Sequence, residues 1–538
     1  MLKSILPKVL IRRHTKSQIR YSSTTSAFEK YDLCILGGGP GGFAAAMRAA
    51  DYGQKVCVIN KGRFGGAGLW DGALASKTMW EMAGKYIVYR RMALGLTATR
   101  KDSGDFSPIR WLKMNNMVDK ILLEREDQMV RQLTASNVKI VDGYGQFTSP
   151  NEIKVESSHG DSQTILADKF LIATGSRPRE HPTVKADGKY ILTSDHISNM
   201  QRFPDSLVIL GAGVIGCEYA TIFSKFKQTK VFMIDRSERI LPFEDADISR
   251  SCVANFRRRD VTIHEKCSLD SMQVVDGGVR YVVRDNVSGR KKTVHTQAAL
   301  MSIGRVPNID NIGLENTGVK LNDNGLIDAR EFVGTSVPHI AVCGDANAQM
   351  SLVNVAENSA RYAVHKFFAP KSKSRRPHFL NEKGNVCAEN VSKIMFLDPE
   401  IAAVGINETD AQAAGIAYRC AVYSFSLVSR AMAMSETNGC IKLLVSNDKH
   451  MRILGIRVAG PHASSLIEVV SLMVRYRRSI KDLSELLTAY PAVTEGLMEC
   501  VRLLLGSSMF KPSVFSDQAR VFEWSPGDPL TTQGPCYD

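Results

Sequence analysis

Residues 32–42, Asp-Leu-Cys-Ile-Leu-Gly-Gly-Gly-Pro-Gly-Gly, decide the fold. Leu33-Cys34-Ile35-Leu36 is a short apolar run suited to a strand buried on both faces, and the glycines after it lead into an Ala-rich helix from Phe43 to Tyr52. Strand, glycine turn and helix in that order present backbone N–H groups and a helix N-terminus to a pyrophosphate, with Gly37, Gly39 and Gly42 as the turn positions. Residues 54–60, Gln-Lys-Val-Cys-Val-Ile-Asn, read as the second parallel strand. Its last position ordinarily carries an acid that holds the adenosine ribose hydroxyls, and here it is Asn60. An amide donates and accepts without the charge that strengthens such bonds, so weakened nucleotide binding is expected at this unit.

The arrangement returns downstream. Leu207-Val208-Ile209-Leu210 runs into Gly211-Ala212-Gly213-Val214-Ile215-Gly216, then a helix through Phe226 and a strand from Lys230 to Ile234 that ends in Asp235. Gly-x-Gly-x-x-Gly between strand and helix, with a terminal acid, is a strong dinucleotide signature. Asp235 is expected to accept both ribose hydroxyls and to repel a 2′-phosphate, which favours NAD(H), while the neighbouring Arg236 keeps NADP(H) open. Between the units, the apolar run Lys169–Ile172 ends in Ala173-Thr174-Gly175; beyond them, Ile340-Ala341-Val342-Cys343 ends in Gly344-Asp345.

The two glycine units, Ala173-Thr174-Gly175, Ser302-Ile303-Gly304-Arg305-Val306-Pro307-Asn308 and Gly344-Asp345, in this order, resemble the flavin-dependent pyridine nucleotide-disulfide oxidoreductases, and among them the dihydrolipoamide dehydrogenases. The resemblance covers residues 30–515 and implies an α/β fold of two Rossmann-like domains plus a C-terminal α+β dimerisation domain. It implies an FAD-binding domain at residues 29–186 and 305–372, an NAD-binding domain at 187–304 and a dimerisation domain at 385–515 that pairs two copies in a homodimer. FAD would be held by Gly37, Gly39, Gly42, Asn60, Ala173, Thr174, Gly175, Gly344 and Asp345, the last at the ribityl and pyrophosphate region; NAD(H) would be held by Gly211, Gly213, Gly216, Asp235, Gly304 and Arg305.

One stretch departs from that pattern. The family carries Gly-Gly-Thr-Cys, four residues, Cys-Ile-Pro-Ser-Lys; Phe64 to Lys77 here reads Phe-Gly-Gly-Ala-Gly-Leu-Trp-Asp-Gly-Ala-Leu-Ala-Ser-Lys. Aligned on the flanking residues, the two redox-cysteine positions are Gly68 and Ala73. The family's His-Pro, three residues, Glu is Tyr490-Pro491-Ala492-Val493-Thr494-Glu495, so tyrosine stands at the base position while Glu495 is kept. A tyrosine, with a pKa of about 10, accepts a proton poorly near neutrality, whereas histidine at about 6.5 is suited to it. Lys77 and Glu218 match the family's ion pair beside the flavin N5 and the nicotinamide. The resemblance therefore implies an intact hydride-accepting half-reaction and a broken dithiol relay. Three readings follow: NADH-dependent electron transfer to a non-thiol acceptor such as a quinone, a dye or oxygen; an inactive pseudoenzyme acting as a binding or scaffold protein for an unknown partner; and a working dihydrolipoyl dehydrogenase that uses a cysteine from elsewhere.

Composition bounds the alternatives. At 538 residues, 44% hydrophobic and 23% charged, the chain has the balance of a globular protein, and no apolar run reaches the roughly 20 residues of a membrane span. The formal net charge of +14 suggests nucleic acid until its position is read: Lys3, Lys8, Arg12, Arg13, Lys16 and Arg20 lie in an acid-free, Ser/Thr-rich segment, residues 1–28. This reads as a transit peptide to the mitochondrial matrix. A basic linker at 371–384 reads as a solvated connection, not a nucleic-acid patch. The eleven cysteines show neither Cys-x-x-Cys nor zinc spacing, so Cys34, Cys57, Cys217 and Cys343 are expected as buried thiols, Cys536 as a tail residue and no metal site. Residues 78–136 read as helical, with Met79, Met82, Ile87, Met92, Trp111, Met114, Met117 and Leu122 as core stripes. The tail, 516–538, matches no pattern.

Overall fold

A run of Leu and Ile that water cannot reach from either side makes β1 (Lys30–Leu36) the centre of the first sheet: Leu33 to Leu36 are all buried. The computed structural model describes residues 29–96, 109–370, 380–381 and 386–529. From β1 the chain passes through α1 (Pro40–Asp51), with proline in its first turn, to β2 (Val56–Asn60), and then through α2 (Gly66–Leu69), α3 (Ala73–Leu96) and α4 (Trp111–Ala135). β3 (Lys139–Asp142), β4 (Tyr144–Ser149), β5 (Glu152–Glu156) and β6 (Ser162–Ile172) complete the order β3-β2-β1-β6-β5-β4, parallel from β3 to β6 and antiparallel beyond.

The second sheet repeats the logic. After β7 (Ser176–Pro178) come β8 (Ile191–Thr193), β9 (Ser206–Leu210), α5 (Val214–Phe226), β10 (Lys230–Ile234), α6 (Ala246–Arg258) and β11 (Thr262–His264). An antiparallel trio, β12 (Cys267–Val275), β13 (Gly278–Asp285) and β14 (Lys291–Thr296), precedes β15 (Ala298–Met301), which closes the parallel order β11-β10-β9-β15-β8. β16 (Arg305–Pro307) pairs antiparallel with β7, so the outgoing and returning crossovers form one two-stranded ribbon. β17 (Ile340–Val342) then rejoins the first sheet beside β6, and α7 (Val353–Phe368) packs on α1.

The third sheet is antiparallel throughout. It is built from β18 (Lys393–Met395), β19 (Ile401–Gly405), β20 (Tyr418–Ser424), β21 (Cys440–Ser446), β22 (Ile453–Ala459) and β23 (Ala519–Trp524), in the order β18-β19-β22-β21-β20-β23. Its helices are α8 (Glu408–Ala413), α9 (Ser429–Met434), α10 (Ala463–Arg475), α11 (Ile480–Ser484) and α12 (Thr494–Leu504). β23 assigns a role to a stretch that matched no sequence pattern: it pairs with β20 as an edge strand, and Trp524, 4% exposed, stacks on Tyr418 at 5.8 Å between ring centroids.

The helical region departs from expectation at Met117. The buried face of α4 runs Trp111, Met114, Asn115, Val118, Leu122, Met129, Leu133, and Met117 falls on the opposite side, 59% exposed. The Met92 side chain, the leader, most of the basic linker and Cys536 lie outside the described residues. Among the described residues no helix is long and apolar enough to cross a membrane.

Candidate functional site

The two glycine turns are the same object built twice. Gly37 and Gly211 have φ of +106° and +99°, a region L side chains avoid; a Cβ on Gly37 would lie 2.4 Å from the Ala173 carbonyl oxygen, and one on Gly211 2.5 Å from that of Ser302. Ala173-Thr174-Gly175 and Ser302-Ile303-Gly304 are thus matching elements, each leaving its sheet directly under a glycine turn. Gly42 and Gly216 let the helix close on the strand, since a Cβ there would meet the carbonyl oxygen of Gly37 or Gly211 at 1.8 or 2.0 Å. Gly39 and Gly213 are the N-caps of α1 and α5; neither helix has a side-chain cap, and a Cβ at either position would meet nothing within 4 Å. Uncapped first-turn N–H groups opening onto free space are what a pyrophosphate satisfies. Thr174 adds a buried hydroxyl oxygen with no partner among the described residues. The residues present fit two dinucleotides.

Asn60 and Asp235 also match in position. The Gly38 N–H donates to Asn60 Oδ1 at 2.9 Å, and the Ala212 N–H to Asp235 Oδ2 at 2.6 Å. Each side chain braces its own glycine turn. Asn60 Nδ2 donates to the Gly62 carbonyl and Asp235 Oδ1 accepts from the Ser237 N–H, so the amide keeps one N–H and an uncharged lone pair for a ribose, while the carboxylate keeps charged lone pairs.

Asp345, in the 3-10 turn Gly344–Asn347 after β17, accepts from Ser176 Oγ at 2.6 Å. Arg305 donates through Nε to the same hydroxyl at 2.8 Å and reaches Asp195 at 3.5 Å. This row joins the exits of both sheets. Ser176 and Asp195 were not singled out from the sequence; the Ser after Ala-Thr-Gly was the available signal for the first.

Lys77 Nζ and Glu218 Oε2 lie 2.7 Å apart, with side-chain exposures of 26% and 6%. Glu218 Oε1 accepts from the Phe396 backbone N–H at 3.1 Å, and the Phe396 ring lies 5.1 Å from Lys77 Nζ. Helices from the first and second sheets and a backbone group from the third meet at one ion pair.

The loop before Lys77 packs on the first glycine turn. The Gly65 N–H donates to the Gly38 carbonyl at 2.9 Å, the Phe64 N–H to Glu126 Oε1 at 2.7 Å, and Trp70 Nε1 to the Phe64 carbonyl at 2.8 Å. Gly68 sits against Pro40: a Cβ there would lie 2.2 Å from the proline Cγ. Gly68→Cys is therefore expected to cost about 1–3 kcal/mol through forced separation of α2 from α1, whereas Ala73→Cys, half-buried at the start of α3, should stay within about 0.5 kcal/mol. Urea denaturation of the two single variants checks this.

Tyr490 is 76% exposed and donates to Ser429 Oγ at 3.2 Å. Ser429, first residue of α9, gives both its N–H and its hydroxyl to the Glu495 carboxylate, at 3.2 and 3.3 Å. Tyr490 and Glu495 are linked through Ser429, a residue that no sequence motif marks. Cys34, Cys57, Cys217 and Cys343 are all buried, and burial pushes the Cys57, Cys217 and Cys343 thiols up.

Residues 31–360 match the family described as pyridine nucleotide-disulphide oxidoreductase, and residues 391–501 match its dimerisation domain; the chain belongs to this family, whose members use FAD and NAD(H). Within it the chain is dihydrolipoamide dehydrogenase-like. It is 31% identical to a dihydrolipoyl dehydrogenase of Bacillus subtilis (strain 168) over 87% of this chain and 97% of that one, and 29% identical to the mitochondrial dihydrolipoyl dehydrogenase of Schizosaccharomyces pombe over 89% and 91%. The crystal structure of LpdA from Mycobacterium tuberculosis superposes with a TM-score of 0.78 at 27% identity, covering 88% of this chain and 99% of that one.

Proposed function

We propose that this protein is an FAD-dependent NADH oxidoreductase that passes electrons to a non-thiol acceptor, with the redox disulfide of its relatives lost. One observation carries the reading: no cysteine lies between Phe64 and Lys77, and the positions aligned with the thiols are Gly68, packed on Pro40, and Ala73. FAD supplies the two-electron chemistry when bound. The chain's part in the hydride-accepting half is to present the Lys77 ammonium, held by Glu218, which is itself held by the Phe396 N–H. Such a fixed charge stabilises electron density arriving nearby. On the acceptor side Glu495 serves Ser429 at the head of α9, and no imidazole stands at position 490. The same reading divides the chain into domains at the boundaries given above, makes it a homodimer through the matched dimerisation domain, and sends it to the mitochondrial matrix by its acid-free basic leader, in keeping with the mitochondrial relative.

Anaerobic titration with NADH, followed by visible absorbance, tests it. The flavin is expected to bleach to the two-electron form with no long-wavelength thiolate–flavin band, and lipoamide turnover is expected to be absent. A flavin that stays oxidised under NADH makes the scaffold reading the better account; here the local engagement of Asn60, which leaves the first nucleotide unit without an acid for the ribose, favours weak cofactor retention. Oxidation of dihydrolipoamide that survives Tyr490→Phe and replacement of every cysteine overturns the reading of the site.

A further inference from the structure

Lys77 does not act alone on its face of α3. Trp80 follows it by one turn, so both side chains leave the helix toward the same neighbours, which are α5 and the three residues after β18. Trp80 Nε1 donates to the Leu397 carbonyl at 2.8 Å, its ring meets the Phe396 ring edge-on with centroids 5.3 Å apart, and Lys225 Nζ lies 4.7 Å from its centroid. Lys225 in turn stands two turns after Glu218 on α5. The strap of residues 396–398 is therefore held at each position: the Phe396 N–H by Glu218, the Leu397 carbonyl by Trp80, and the Asp398 carboxylate by Lys225 at 3.5 Å and by Arg259, just past α6. The Leu397 N–H folds back on the Met395 carbonyl at 3.0 Å, a tight turn that makes the groups at Phe396 and Leu397 move together.

These contacts close a circuit. Lys77 holds Glu218, Glu218 holds the Phe396 N–H, the turn passes to the Leu397 carbonyl, that carbonyl is held by Trp80, and Trp80 returns to Lys77 along one turn of helix. Resting on the reading that the Lys77 charge serves the hydride-accepting half, we infer that Trp80 is a positioning residue for that half: its indole N–H fixes the strap, the strap's amide fixes Glu218, and Glu218 fixes the ammonium. Packing does not require the N–H. A phenylalanine would also offer an edge to Phe396 and a face to Lys225, whereas an indole whose one donor is committed to a backbone carbonyl of the third sheet's chain specifies where that carbonyl sits. Trp80 brings no charge of its own, so its whole effect on the reaction passes through what it holds in place.

The test uses the full-length holoprotein and Trp80→Phe, which removes the donor and keeps an aromatic ring. Anaerobic stopped-flow reduction of the flavin by NADH is expected to slow roughly 2- to 10-fold, the rate equivalent of one neutral hydrogen bond. Trp80→Phe combined with Glu218→Ala should be no slower than Glu218→Ala alone, because the indole acts only through the glutamate. A role in packing alone would instead multiply the two effects. Hydrogen–deuterium exchange followed by mass spectrometry reads the strap without any electron transfer: exchange in the peptide carrying Phe396 should rise in Trp80→Phe, as in Glu218→Ala, while peptides of β19 and β22 keep the wild-type exchange. Wild-type reduction in Trp80→Phe, wild-type exchange at Phe396, or slowing that multiplies that of Glu218→Ala overturns the inference. If Lys77→Ala and Glu218→Ala both reduce at the wild-type rate while Trp80→Phe loosens the Phe396 amide, the proposed part of the Lys77 charge is overturned and the hold of Trp80 on Glu218 is upheld.

Discussion

Lys77→Ala or Glu218→Ala will slow reduction of the bound flavin by NADH roughly 30- to 1000-fold, the rate equivalent of about 2–4 kcal/mol for one preorganised charge in a water-poor site. The geometry explains why either partner suffices. Lys77 is a flexible ammonium on a long stem, and what makes its charge effective is that it need not reorganise when electrons arrive. Glu218 supplies that rigidity at 2.7 Å, and the Phe396 N–H fixes the glutamate in turn. Glu218→Gln should recover little of the loss, because its single carbonyl oxygen replaces only one of the two carboxylate oxygens that accept from Lys77 and Phe396, its NH2 faces the other donor, and it brings no negative charge. Stopped-flow absorbance of the flavin under anaerobic NADH measures all three variants. If each reduces at the wild-type rate, the charge has no part in the step.

Lys442→Met will cost about 3–5 kcal/mol of stability at neutral pH, the usual penalty for stranding buried charge. Lys442 on β21 has no exposed surface, and its ammonium contacts Asp245 and Asp247 at 2.9 Å and also Glu408, all three carboxylates being almost fully buried. Burial alone would depress the lysine, but the three acids hold it well above its ordinary value. Glu408, pushed up by burial despite Lys442, is the acid that takes a proton first as the ammonium is removed. A carboxyl whose folded-state pKa is raised binds protons more tightly folded than unfolded, so its penalty grows as pH rises through that pKa and shrinks as pH falls. The gap between Lys442→Met and wild type should therefore narrow under mild acid, which denaturant titration at two pH values will show. A variant as stable as the parent at neutral pH would mean that the acids had found other partners.

How much of this could be read in advance depends on whether a residue's role is set by its neighbours in sequence. The glycine turns were legible because strand, turn and helix are local, and Gly37, Gly42, Gly211 and Gly216 answer to a clash within their own unit or with the strand end beside it. Lys77 and Glu218 were legible through the family resemblance, the first at the end of the Phe64–Lys77 stretch and the second on the helix of the second glycine unit; the Phe396 N–H that steadies Glu218 was not, being a backbone group 178 residues away with no side-chain signature. Lys442 shows the same limit in the core. A lysine in an otherwise apolar strand such as β21 is expected to face water, and only Asp245 and Asp247 at the head of α6, arriving from the second sheet to join Glu408 of α8, allow it to be buried. Glu495 was selected for its place after a proline, and its observed bond to the head of α9 gives it a structural occupation that the spacing did not suggest.

The junction of Lys77, Glu218 and Phe396 has a mechanical meaning as well. The ammonium rides on a helix of the first sheet, the carboxylate on a helix of the second, and the amide that steadies the carboxylate on the chain entering the third. No rotation of the second sheet away from the other two can leave all three contacts unbroken, because Glu218 moves with it while Lys77 and Phe396 stay behind. Opening that joint to admit or release a nicotinamide would thus take the glutamate from the lysine, and closing it would return the pair. Position and charge are thus tied together at one point, where Lys77, Glu218 and the Phe396 N–H meet.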